Sequence, residues 1–151
     1  MTTNASYTTL AIMISDAKRQ LFEKIKLALL QAVPEVLAIY AHGSMVNNTE
    51  RPDSDLDLAL LMPPGQTIPD HLALRATLAA IGGREVDIAD LRQAGTVLCK
   101  EVLAHGITLY SANREQTLAW EASSLSEYAD HQFRIRGILN DFNRTGIGYH
   151  R

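Results

Sequence analysis

Cysteine is almost missing from this chain: its 151 residues include one, Cys99. A single thiol makes no internal disulfide, so the sequence is expected in a reducing, cytoplasmic compartment. Long apolar runs are missing as well. None approaches the ~20 residues needed to cross a bilayer, so no membrane association is expected. Leu10 to Ile14 is too short for a secretory signal and lacks its basic leader. Nor is charge of one sign in excess: 14 Lys and Arg stand against 17 Asp and Glu, a net charge of −3. That balance argues against a dedicated polyanion binder, and no direct nucleic-acid binding is expected. Internal repeats, low-complexity segments and a linker between composition regimes are absent too.

What is present suits one folded domain of ordinary size, for which roughly 100–200 residues is usual. A chain this long buries about 68–70% of its unfolded surface without a disulfide or metal staple. With 46% hydrophobic residues it does not have the composition of a disordered segment. Residues 1–14, polar and Thr-rich at the start, read as a flexible lead-in. From Ser15 the apolar positions Leu21, Phe22, Ile25, Ala28 and Leu29 recur with helical spacing until Pro34. Strands are expected over Val36 to Ala41, Asp55 to Met62, Glu85 to Leu91 and Ile107 to Tyr110. Helices are expected from Pro69 to Gly82, from Arg92 to His105 and from Glu115 to about Phe142. Strands alternating with helices predict an α/β (α+β) domain: a small mixed sheet, helices on one face and an additional C-terminal helix.

The chemistry concentrates between His42 and Leu58. Gly43-Ser44 follows one apolar strand, and Asp55-Leu56-Asp57-Leu58 opens the next. Alternate side chains of a strand share a face, so Asp55 and Asp57 point the same way while Leu56 and Leu58 turn to the core. A bare Asp-x-Asp is as readily a pair of edge-strand acids with no ligand. Beside a Gly-Ser at a strand-to-helix turn, whose amides and hydroxyl suit a phosphate, the pair reads instead as a Mg²⁺ site. Asp87 stands between Val86 and Ile88 in the third expected strand, where a buried acid is costly unless paired, hydrogen-bonded or metal-bound. If that strand lies beside the second, Asp87 completes a three-carboxylate site suited to two-metal nucleotidyl or phosphoryl transfer. Its alternative is an acid paired with a nearby arginine.

These residues resemble the minimal nucleotidyltransferase family of the DNA polymerase β-like superfamily, whose signature is Gly-Ser, ten residues, then Asp-x-Asp. Here Gly43-Ser44, Met45 to Ser54 and Asp55-Leu56-Asp57 reproduce that spacing. The likeness runs from about Ile25 to Ser111, through Val86-Asp87-Ile88 and the segment Leu98 to Tyr110. Length and architecture are most similar to antitoxins of toxin–antitoxin pairs whose toxin is a HEPN-type ribonuclease. The resemblance implies a polymerase β-like palm and a protein adenylyltransferase that moves AMP from ATP to a tyrosine of the HEPN partner, releasing pyrophosphate and silencing the toxin. By position, Gly43 and Ser44 would hold the triphosphate, and Asp55 and Asp57 would bind Mg²⁺. Asp87 would bind a second Mg²⁺ ion and help deprotonate the attacking hydroxyl. One departure is that many relatives carry an arginine soon after Gly-Ser, where this chain has Met45-Val46-Asn47-Asn48; the nearest cation, Arg51, reads as a solvated loop charge. A small-molecule nucleotidyltransferase, similar to those acting on aminoglycosides, and a non-catalytic antitoxin acting by occlusion are the alternatives.

The resemblance places the catalytic domain at 15–112. The helix over 113–143 either packs on that domain or docks a partner, and 144–151 reads as a flexible tail. Arg144 and His150 match the loose arginine–histidine spacing of HEPN ribonucleases, but two glycines between them speak against a helical site. His42 reads as a strand-end histidine and Asp53 as a turn cap. His71, His105 and His131 show no zinc spacing. Cys99 is expected to be a small buried apolar residue.

Overall fold

The computed structural model describes residues 15–146; the expected lead-in and most of the expected tail lie outside them. The first helix, α1 (Asp16–Ala32), is capped by Ser15, whose hydroxyl accepts a hydrogen bond from the Lys18 amide. Phe22, Ile25 and Leu29 form its buried stripe, and the helix ends before Pro34. Strand β1 (Ala38–His42) leads through Gly43 into a single helical turn, α2 (Ser44–Asn47). Then follow β2 (Leu56–Leu61), α3 (His71–Gly82), β3 (Val86–Asp90), α4 (Thr96–His105), β4 (Ile107–Ser111) and α5 (Arg114–Thr145).

The sheet runs β3-β2-β1-β4. β1 pairs antiparallel with β2 and β4, and β2 pairs parallel with β3, so the sheet is mixed as expected. Its two faces divide each strand by the period of two. Ile39, Ala41, Leu56, Leu58, Leu60, Val86 and Ile88 enter one core with Phe22, Ile25 and Leu29 of α1 and Leu74 and Leu78 of α3. Ala38, Tyr40, Ala59 and Leu61 enter a smaller one with Leu91, Cys99, Val102 and Trp120, supplied mainly by α4 and α5. Helices therefore cover both faces, not one. The reason lies in β1 and β2, whose consecutive buried residues leave no polar face to expose.

Several boundaries differ from the expected ones. α3 begins at His71 rather than Pro69, because Asp70 takes a left-handed conformation before it. α4 begins at Thr96 rather than Arg92. Asp90 turns the chain there, accepting the Arg92 amide on its side chain and the Gln93 and Ala94 amides on its carbonyl. α5 continues to Thr145, into the expected tail, and stops at left-handed Gly146, whose N–H reaches the Phe142 carbonyl.

At 32 residues α5 spans about 48 Å, far longer than its contact with the domain. Its first half packs through Thr117, Trp120 and Ser124, and Tyr40 donates to Glu121 Oε1 at 2.8 Å. Beyond Tyr128 almost every residue is exposed, including Phe133, Ile138, Leu139 and Phe142. Among the described residues no helix is long and apolar enough to cross a membrane.

Candidate active site

The catalytic candidates meet at one end of the sheet because of strand register. Asp57 pairs across β1 with His42 and across β3 with Asp87. Asp55 lies just before β2, two residues from Asp57 and on the same side of the strand. Leu56 and Leu58, on either side of Asp57, are fully buried in the larger core, which pins the strand and fixes where the acids point.

Gly43 closes this end of the site. Its φ of 78° and ψ of −156° belong to a region that residues with a side chain avoid. A Cβ there would also run into Asp57, with Cγ at 3.1 Å and Oδ2 closer still. Glycine thus lets the backbone pass directly over the carboxylate. The turn that follows bonds the Val46 and Asn47 amides back to the Gly43 carbonyl, at 3.1 and 3.2 Å. Helix geometry leaves the Ser44 and Met45 amides ahead of that turn, the arrangement in which backbone N–H groups donate to an anion.

Asp57 is half-buried, and its carboxyl is pushed above its ordinary value. Burial is the main cause; His42 opposes it, while Asp87 and Asp55 add repulsion. A carboxylate crowded by two others is one whose ionised form a cation would favour. Asp87, by contrast, is not the buried acid expected: its side chain is 62% exposed. Val86 and Ile88 are buried beside it, and the strand's alternation turns Asp87 outward. Arg75 of α3 donates to the Val86 carbonyl at 2.9 Å, and its guanidinium lies 3.8 Å from Asp87. Both side chains are well exposed, so the attraction is weak and the acid stays available. Among the described residues, no three His, Cys, Asp or Glu side chains converge into a ready metal cage. The acids share a face and an edge without closing on a common point. An open carboxylate set of this kind suits Mg²⁺, which keeps waters and substrate phosphates in its shell.

The connection between Gly-Ser and Asp-x-Asp holds residues that sequence reasoning missed. Lys18 of α1 donates to the Met45 carbonyl at 3.1 Å and to Asn48 Oδ1 at 3.0 Å, and pairs with Glu50. Arg84, ahead of β3, reaches Met45 Sδ at 3.0 Å and the Ser54 carbonyl at 3.2 Å. The Lys18 hydrogen bond leads the interactions that hold the Glu50 carboxyl below its ordinary value. Arg51 donates its backbone amide to Ser54 Oγ at 2.7 Å and is exposed, a loop charge among the described residues. One signal for Lys18 was present: it stands four residues before Phe22, on the buried stripe of α1. Arg84 and Glu50 carry no such local sign. His42 sits at its strand end as expected, and also faces Asp57.

Comparison with known proteins places the chain and its fold in a family. The family model described as "Polymerase beta, Nucleotidyltransferase" matches residues 23–115. The protein adenylyltransferase MntA of Shewanella oneidensis is 30% identical over 109 residues, covering 72% of this chain and 78% of MntA. A crystal structure of a toxin–antitoxin with AMP-PNP contains a chain that superposes with a TM-score of 0.71 at 29% identity, over 80% of this chain and 96% of that one. A second structure, tri-AMPylated Shewanella oneidensis HEPN toxin in complex with its MNT antitoxin, gives 0.68 at 28% identity, over 82% and 96%. The chain belongs to the polymerase β nucleotidyltransferase family, among its minimal members similar to MntA.

Proposed function

We propose that this protein is the antitoxin of a toxin–antitoxin pair and works as a Mg²⁺-dependent protein adenylyltransferase. It transfers AMP from ATP to a tyrosine hydroxyl of a HEPN-type ribonuclease, releases pyrophosphate and silences the toxin. The observation that carries the reading is the register that sets Asp57 beside Asp87, with Gly43 folded over it. The relatives named above, an adenylyltransferase and an AMPylated toxin with its antitoxin, support the acceptor class. The exposed apolar side of α5 beyond Tyr128 supports contact with a helical partner. The single, buried Cys99 suits a cytoplasmic setting.

In this reading the Ser44 and Met45 amides and the Ser44 hydroxyl bind the triphosphate and orient its α-phosphorus toward the acceptor. Asp55, Asp57 and Asp87 would hold two Mg²⁺ ions, which when bound neutralise the triphosphate and acidify the attacking hydroxyl. Outward-facing Asp87 takes the tyrosine proton as the new phosphodiester bond forms and pyrophosphate leaves. The raised carboxyl of Asp57 keeps that group ready to gain a cation and disposed to take up a proton without one.

The test is label transfer from α-labelled ATP to the purified partner. Asp55→Asn and Asp57→Asn are each expected to lower transfer by roughly a thousandfold, the loss of about 4 kcal/mol of transition-state stabilisation. Chelation of divalent ions should do the same. Undiminished transfer by both variants would overturn the mechanism. A toxin that regains activity on separation from the antitoxin, with no AMP attached, would favour occlusion instead.

A further inference from the structure

Between Asn48 and Asp55 the chain has no regular structure. Ordering it costs about 1–2 kcal/mol of backbone entropy per residue, yet it joins the Gly43-Ser44 turn to Asp55. Two cations from outside the segment hold it. The Lys18 side chain is only 14% exposed, and its ammonium ties together the start of α2 at Met45, its end at Asn48 and the loop beyond at Glu50. It is anchored on a helix whose next stripe residues, Phe22 and Ile25, lie deep in the core. The Arg84 guanidinium spans from Met45 to the Ser54 carbonyl, one residue ahead of Asp55. Glu50 lies in the electrostatic reach of both cations. Glu50 Oε2 and Arg84 Nε are both buried and make no hydrogen bond among the described residues. Such groups are tolerated where local charges compensate them.

We propose that Lys18 and Arg84, with Glu50 as their common counter-charge, are positioning residues for nucleotidyl transfer. They lock residues 43–55 so that the Gly43-Ser44 amides and the Asp55 carboxylate address one triphosphate. The inference rests on reading the site as an ATP site. At Met45 the turn is met by the Arg84 guanidinium, which comes from the segment just ahead of β3. An error of 1 Å in such a loop is enough to cost about a hundredfold in rate.

The experiment compares wild type, Lys18→Met, Lys18→Arg, Glu50→Gln and Arg84→Met by amide hydrogen exchange without nucleotide, and by calorimetric titration with Mg-ATP. Lys18→Met and Arg84→Met are expected to speed exchange at 44–54 by tenfold or more while leaving α3 and β4 within twofold. Mg-ATP affinity should fall about tenfold. Lys18→Arg should restore most of both, and Glu50→Gln, the mildest change, should show a smaller effect in the same direction. If Lys18→Met fails to fold, Glu50→Gln and Arg84→Met carry the test. Unchanged loop exchange in the folded variants overturns the proposal. So does faster exchange spread evenly over the chain, the mark of a merely structural role. A wild-type protein that binds no Mg-ATP overturns the functional reading instead, and the exchange data show which of the two has failed.

Discussion

Along β2 the side chains of Leu56, Leu58 and Leu60 enter the core beneath α1 and α3, whereas Asp57, Ala59 and Leu61 stand on the side covered by α4 and α5. The first side is closed from end to end. The second is closed only in part, by Tyr40, Ala59 and Leu61 against Trp120, Cys99 and Val102. At its open end the positions aligned with those residues hold Asp57 and Asp87. One strand therefore serves two purposes: its odd and even residues are neighbours along the chain and meet different surroundings. The larger core stabilises the strand, and that stability allows like-charged acids to sit side by side on the other surface. Functional sites commonly carry such a local cost.

The sharpest way to break this contrast is at Gly43. Gly43→Ala adds a methyl where Asp57 already lies and forces a side chain into a backbone conformation suited to glycine. Transfer should fall by about a hundredfold or more, with Tm lowered by only a few degrees, since the residue is outside both cores. Transfer kept within threefold would show that the backbone need not pass so close to the acid.

Leu58→Ala tests the opposite side. Removing a fully buried leucine should cost about 2–5 kcal/mol, read as a lower denaturation midpoint. Transfer per folded molecule should stay near wild type. A variant of normal stability, or one folded yet inactive, would contradict the division between faces.

Tyr40→Phe probes the closed part of the functional face. The ring stays buried, and the lost hydrogen bond to Glu121 should cost about 1 kcal/mol. Activity is expected to be unaffected. An equal loss of activity would join α5 to the chemistry.

The smallest effect is the most diagnostic. The folded protein holds the Asp57 proton more tightly than the unfolded chain does, because its carboxyl lies above the ordinary value. That contribution is present below the ordinary carboxylate range and is lost as pH rises through the folded-state value, so at pH 7 the ionised group destabilises the fold. Asp57→Asn should therefore raise Tm at pH 7 without Mg²⁺, by a degree or two given water screening of a half-exposed group. The gain should vanish near pH 3. A drop in Tm at pH 7 would mean that Asp57 stabilises the fold in its ionised state.

Much of this is legible in the local pattern of the chain. The Phe22, Ile25 and Leu29 stripe, the four apolar strands and the Gly-Ser to Asp-x-Asp spacing are local signals, and each element lies within a few residues of its expected place. Boundaries moved where side chains redirected the backbone, as Asp90 does before α4. Asp87 departs from its expected burial: Val86 and Ile88 turn to the covered face of β3, and the opposite face, which carries Asp87, is left open at that end of the sheet. Lys18, Glu50 and Arg84 could not be grouped at all. They come from three separate stretches, and their meeting depends on how α1 and the turn before β3 pack around the loop.

Local pattern in the chain specifies the elements and sets the candidate acids at their ends, because periodicity, capping and a ten-residue spacing are properties of neighbours along the chain. Strand order, the register that sets Asp57 beside Asp87 and the support of the 43–55 connection belonged to the tertiary structure alone. Each depends on which distant surfaces bury each other, a free-energy difference that no single stretch of sequence contains.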